Sequence, residues 1–210
     1  MAYDGIVSRY LNRPLSRPAA RALAHTPVTP NAVTSFTLLL AIAVGAMLAV
    51  GWNVAGGIGI QAVSVIDGVD GELARIRHLS TRFGEVFDAV VDRYADAIML
   101  GGMTVFAVRF ESHPHAETVG ALALAGALVV SFSRARFEAD LGDELKGLSF
   151  DSVFGIASRD VRSLVAAVGA VLGECYWTLA LLAVVSGLTV AFRLIYLRVH
   201  RIGMSPPVAR

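Results

Sequence analysis

Asp67, Asp70, Asp88 and Asp92 fall within 26 residues of one another in a chain that is otherwise mostly apolar, so any fold must find company for four carboxylates. If the two halves of this stretch are helical, Asp67 and Asp70 share a face at i,i+3, and Asp88 and Asp92 share one at i,i+4. Two pairs of acids can then face each other. At close range they would repel strongly unless a cation stood between them, and hard divalent ions such as Mg²⁺ or Mn²⁺ take oxygen ligands of this kind. Gly71 and Ala74 are too small to block a ligand, and Arg75 offers a fixed guanidinium fork suited to phosphate. The stretch reads as a two-metal, phosphate-handling site.

Its surroundings decide the fold class. Residues 32–50 carry no charge and are long enough to cross a hydrocarbon core of about 30 Å. With 55% hydrophobic residues, 17% charged and a mean hydropathy of +0.63, the chain is too apolar for an ordinary soluble domain. We expect an all-α integral membrane protein with six transmembrane helices. The spans are expected at 32–50, from residue 54 onward, at 83–108, 118–132, 163–173 and 175–192. Thr29 and Pro30 give the first its start, a capping hydroxyl followed by proline. Only thirteen residues separate Val54 from Asp67, roughly 20 Å of helix at about 1.5 Å per residue. Asp67 therefore falls at membrane depth, where a charge is costly and marks function.

Three domains are expected: a basic arm over 1–28, a catalytic bundle over 29–202 and a disordered tail over 203–210. Arg9, Arg13, Arg17 and Arg21 recur every four residues, which suits a helix at an anionic membrane surface; Pro14 and Pro18 argue that it is broken. Residues 1–30 show no signal-peptide pattern, so insertion is expected to depend on the first span. The lone Cys175 excludes an intramolecular disulfide and reads as a packing residue. Asp96 extends the acid series, and a pairing with Arg93 is its expected role. Of the eighteen Lys and Arg residues, only Arg109 sits on the side shared by the 1/2, 3/4 and 5/6 connections, leaving seventeen on the other (18 − 1 = 17). By the positive-inside rule, both termini and the acids face the cytoplasm of a cell membrane.

The spacing D-x2-D-G-x2-A-R-x8-G-x3-D-x3-D is matched at all eight fixed positions. It resembles the signature of the CDP-alcohol phosphotransferases, integral membrane enzymes that include phosphatidyltransferases of phospholipid synthesis. The resemblance implies a substituted phosphate transferred from a CDP-alcohol to an acceptor hydroxyl with release of CMP. It assigns two Mg²⁺ or Mn²⁺ ions to Asp67, Asp70, Asp88 and Asp92, with Asp92 also as base. Thr29, Pro30, Asn31, Ala32, Gly71, Ala74, Arg75, Thr81 and Gly84 are the expected nucleotide contacts. Capping alone would also account for Thr29 and Thr81. The resemblance further implies a homodimer, with nucleic acid not among the partners.

Arg134, Arg159 and Arg193 end three spans on the side of the acids and could converge as a pocket for a second phosphate. Such an arrangement is similar to phosphatidylinositol-phosphate synthases, whose acceptor is inositol phosphate; ordinary positive-inside flanks would look the same. The arm and residues 157–162 also resemble the membrane domain of di-inositol-phosphate-phosphate synthases. The expected acceptor is thus a polyol phosphate, inositol 1-phosphate, and the donor is CDP-diacylglycerol-type lipid or CDP-inositol. The alternative is an intramembrane cation or proton-coupled transporter, since buried acids also mark ion paths. Clustering of the acids at one end of the bundle disfavours it, because transport sites lie near the midplane.

Overall fold

A computed structural model describes residues 7–141 and 158–200. Lys146, Ala157 and the tail expected over 203–210 lie outside the described residues. Among those described, every regular element is helical: α1 (Arg13–Leu23), α2 (Pro30–Ala49), α3 (Asn53–Ile76), α4 (Arg82–Phe106), α5 (Ala116–Leu141), α6 (Arg159–Leu172) and α7 (Cys175–Val199). α2, α5 and α7 are long and apolar enough to cross a membrane, with mean hydropathies of 2.2, 1.6 and 2.1. α3 and α4 have the length, 24 and 25 residues, but carry the acids and their basic partners. α6 has only 14 residues. Large side chains such as Phe36, Leu39, Ile58, Phe132 and Leu188 point outward, the pattern of an integral membrane protein rather than a soluble bundle.

The helix starts are local sequence features. Thr29 Oγ1 accepts from the Ala32 amide at 3.3 Å, with Pro30 in the first turn of α2. Thr81 Oγ1 accepts from the Gly84 amide at 3.0 Å at the head of α4. Both hydroxyls satisfy amides that have no partner inside the helix. At the other end of the bundle Glu111 accepts from the Cys175 and Tyr176 amides at 2.5 and 2.7 Å, and so caps α7. Cys175 is fully buried there, as expected of a packing residue. α6 stops at Gly173, whose φ of +73° is a left-handed conformation that favours glycine.

The proline break expected in the arm is milder than an interruption. A π-helical turn over Ser8–Asn12 leads directly into α1, which holds Pro14 in its first turn and Pro18 inside. The wider turn leaves room for Pro14, which cannot donate to the preceding turn, while Pro18 sits inside regular α1.

α2 lies against α3 and α4, α3 also carries α1 and α6, and α5 pairs with α7 while touching α4. Small residues set the closest approaches, as they do where helices pack in lipid. A Cβ on Gly102 would come within 2.5 Å of the Gly45 carbonyl oxygen. Gly102→Leu should therefore push α4 off α2 and cost about 1–3 kcal/mol or more. A lowered thermal midpoint in detergent is the expected result; an unchanged one would show that the two helices do not depend on this contact.

Candidate active site

α3 runs into the site and α4 runs out of it, joined by a tight connection in which His78 takes a left-handed conformation. This reversal brings the two acid pairs together. Carboxylate oxygens of Asp67, Asp88 and Asp92 lie within 4.8 Å of one another. Asp70 lies outside this triad and against Asp88. It is buried, accepting from Thr34 Oγ1 at 2.5 Å and from the Gly71 amide at 2.5 Å. Thr34 was not legible as a site residue, although it stands one helical turn after Pro30 on the capped start of α2.

The cation among these acids is Arg159, from the first turn of α6. Its Nη1 pairs with Asp67 and lies 2.9 Å from Asp92 Oδ1, and its Nε donates to Asp96 at 3.2 Å. Arg162 Nη2 approaches the other oxygen of Asp96 at 3.6 Å. The expected pairing of Asp96 with Arg93 is therefore corrected. Arg93 instead reaches Asp92 at 3.5 Å, since the two oxygens of Asp96 are already engaged by Arg159 and Arg162.

Arg134, Arg159 and Arg193 do come to a single cavity of about 300 Å³, together with Arg162, Asp88 and Asp92. Each also has protein partners. Arg134 pairs with Glu138 at 2.8 Å, and Arg193 is fully buried, donating to the Val130 carbonyl at 2.7 Å and to Ser133 Oγ at 2.9 Å. Arg193 thus binds α7 to α5 while lining the cavity. Arg162 has no sequence signal that separates it from the other basic residues near the start of α6.

Several of the expected nucleotide residues meet where the start of α2 approaches the start of α4. Asn31 stands beside Gly84, where a Cβ would lie 3.4 Å from Asn31 Oδ1 and 3.1 Å from Thr81 Oγ1. Thr29, Asn31, Ala32 and Thr81 are exposed around this junction. Arg77 Nη1 holds the corner in place by donating to the carbonyls of Val28 at 2.8 Å and Thr26 at 3.3 Å. Arg75, more than half exposed, lies over Gly71 with Glu72 3.5 Å away. Glu72 is the pivot of a further cluster, paired with Arg13 and with Arg17 at 3.4 Å. That cluster fastens the arm to α3.

The donor set suits a hard divalent cation: oxygen only, anionic, and converging within ligand distance of one point. Asp92 Oδ1 is buried and ion-paired with Arg159 at 2.9 Å without an aligned hydrogen bond, so a bound cation would share this oxygen with the guanidinium. Arg159 satisfies part of the charge of three acids.

A helical membrane bundle with this acid set at one end defines a class of transferase, and the comparisons agree. Residues 27–190 match the CDP-alcohol phosphatidyltransferase family, and the chain belongs to it. It is 41% identical over 173 residues to a bifunctional IPC transferase and DIPP synthase of Rubrobacter xylanophilus, covering 81% of this chain and 37% of that one. The chain thus spans well under half the length of that relative. A phosphatidylinositol phosphate synthase of Mycobacteroides abscessus is 30% identical over 211 residues, covering 97% and 90% of the two chains. The crystal structure of Mycobacterium tuberculosis phosphatidylinositol phosphate synthase with CDP-DAG bound superposes with a TM-score of 0.70 at 28% identity, over 86% of this chain and 92% of that one. The same enzyme in complex with manganese and citrate gives 0.71 at 27% identity, over 85% and 87%.

Proposed function

We propose that this protein transfers a substituted phosphate from a CDP-alcohol to the hydroxyl of a polyol phosphate, most simply inositol 1-phosphate, and releases CMP. The observation that carries the proposal is the adjacency of two charge environments: an acid cluster for the pyrophosphate's metals, and an arginine-lined cavity sharing Asp88 and Asp92 with it. The names of the relatives supply the inositol phosphate chemistry.

In this reading Asp67, Asp70, Asp88 and Asp92 hold two divalent ions, which when bound neutralise the pyrophosphate and polarise the reacting phosphorus. The protein's own groups do the rest. Thr29, Pro30, Asn31 and Ala32, with Thr81 and Gly84, seat the cytidine. Arg75 reaches over Gly71 and Ala74 to the phosphates. Asp92 takes the proton of the acceptor hydroxyl, since it borders the arginine cavity from which that hydroxyl arrives. Arg134, Arg159 and Arg193 bind the acceptor's phosphate. Arg159 would exchange part of its carboxylate contact for it, and its fork suits both anions.

Six membrane crossings follow if α3, α4 and α6 join the three apolar helices, the marginal hydropathy of α3 and α4 being the cost of the site. The amphipathic arm then lies at the interface. The positive-inside bias supports a cytoplasmic site in a cell membrane. A homodimer rests on family resemblance.

A donor and acceptor matrix read as CMP release tests the assignment. Inositol phosphate should react well and free inositol poorly, because only the phosphorylated acceptor can make charge-assisted hydrogen bonds to the arginines of the cavity. Arg134→Gln should raise the acceptor KM about tenfold or more with CDP-donor binding nearly unchanged. Equal rates with inositol and inositol phosphate would remove the phosphate-pocket assignment and leave the transferase standing.

A further inference from the structure

Asp96 lies one helical turn beyond Asp92 on α4, buried and outside the acid triad. Neither the metals nor the substrates of the proposed reaction need it as a contact. Its Oδ1 accepts from Arg159 Nε at 3.2 Å, and Arg162 Nη2 stands 3.6 Å from its Oδ2. Both carboxylate oxygens are thus committed to arginines of α6. Arg159 and Arg162 are themselves three residues apart, so they leave α6 on one face.

These two arginines stand where several spaces meet. Both line the acceptor cavity, and Arg159 also lines a neighbouring space of about 260 Å³ walled by Ser8, Asn12 and Ser16 of the arm. Both further line an inner pocket of about 30 Å³, room for about two water molecules and for no substrate. Asp96 borders that inner pocket, among Met99, Leu100 and Leu182, and neither of the two larger spaces. It holds the arginines from a place that the acceptor does not reach.

A guanidinium is planar, so fixing two of its nitrogens fixes the direction of the third. In Arg159, Nη1 sits between Asp67 and Asp92, Nε is bonded to Asp96, and Nη2 is buried with no hydrogen bond among the described residues. Nη1 is shared with two proposed metal ligands, and a divalent cation at those carboxylates would weaken its hold on them. The Asp96 contact lies outside the triad and would persist. If Asp96 lost its charge, Asp67 and Asp92 would be the remaining carboxylates paired with Arg159, and they would draw the whole fork to the acid site.

We infer that Asp96 is a positioning residue for the acceptor: it holds the Arg159 guanidinium so that this arginine serves the acceptor's phosphate while Asp67 and Asp92 serve the metals, and Arg162 keeps Asp96 itself in place. The inference rests on the reading of the arginine cavity as a phosphate pocket and adds the residue that aims it. α6 packs against α3 and α7, so the side-chain bridge to α4 is not what keeps α6 in the bundle. Charge and geometry oppose each other at Asp96, because an anion beside the arginines lowers their attraction for phosphate. Removing its charge therefore gives opposite results under the two roles: weaker acceptor binding if Asp96 aims Arg159, tighter binding if it acts only as a charge.

The test is Asp96→Asn, which keeps the shape of the side chain and removes its charge. The acceptor KM, and the dissociation constant of inositol 1-phosphate measured by calorimetry with Mg²⁺ and CDP present, should both rise about tenfold. The donor KM should stay within about twofold, with the thermal midpoint in detergent unchanged. In an Arg159→Gln background the same substitution should add less than about twofold, because the group through which it acts is gone. The inference is overturned if the acceptor constants of Asp96→Asn fall or stay in place while Arg134→Gln raises them. A full further loss in the Arg159→Gln background, or a fall in kcat with both KM values unchanged, also overturns it. So does loss of the folded protein, or a lowered midpoint with both substrates weakened, either of which makes Asp96 a scaffold residue. Equal use of inositol and inositol 1-phosphate by the native protein would instead remove the phosphate pocket itself, and the inference with it.

Discussion

Asp92→Asn should lower the rate of CMP release at saturating substrates by about 10²–10⁴-fold, the range expected when a general base is removed, while affinity for CDP changes far less. Asparagine keeps the shape of the side chain, so α4 and the neighbouring Asp88 remain in place. What it loses is the basic oxygen, and with it one of the three carboxylates around Arg159. The proposed role as base rests on position: Asp92 is a member of the acid triad and also lines the arginine cavity from which the acceptor would arrive. Turnover by rapid-quench assay and CDP binding by calorimetry separate the two roles. If both fall by the same factor, Asp92 serves only as a ligand.

Asp67→Asn and Asp70→Asn should each take CMP release below detection and weaken Mn²⁺ binding, which paramagnetic resonance measures without turnover. Asp67 supplies an oxygen to the triad, and the amide that replaces it would offer a weaker ligand and a donor facing Arg159. Asp70 fails for a second reason. Both of its oxygens accept hydrogen bonds, from Thr34 and Gly71; an NH₂ group turned towards the Gly71 amide would face a donor, and one turned towards Thr34 would force that hydroxyl to give up its bond and donate to the Pro30 carbonyl alone. Excess chelator should reproduce both losses in the native protein. Full activity in chelator, or near-native rates in either variant, would move the metal site away from these residues.

The arm shows where sequence reading stopped short. Its arginines, four residues apart, were visible as a stripe, and they led to a membrane-surface helix. Ser8, Asn12, Ser16 and Ala20 recur with the same spacing one residue earlier. On a helix that is an adjacent face, and three of its four members, Asn12, Ser16 and Ala20, are buried against the bundle. Small polar residues at helical spacing carry no strong signal by themselves, because they suit solvent as well as a neighbouring helix. Only the packing of α1 on α3 distinguishes the two. Arg77 and Glu72 are similar: each looks like an ordinary flank charge until the partner, distant in sequence, is known.

The sequence by itself determined the helical membrane class, the boundaries set by Thr29, Pro30 and Thr81, and the acid set with its family, because each rests on residues close together along the chain. Spacing within a helix fixes which acids share a face, and a capping hydroxyl acts on amides three residues away. The tertiary structure decided which cation stands among the acids, giving Arg159 to Asp67, Asp92 and Asp96 and leaving Arg93 beside Asp92. It also decided that the arginines of α5, α6 and α7 share one cavity and that the arm walls another. Arg159 meets Asp96 and Asp67 from 63 and 92 positions away, and charge alone does not choose among eighteen basic residues and seventeen acidic ones. Helix packing does, by admitting only the partners whose backbones it brings within reach of a side chain.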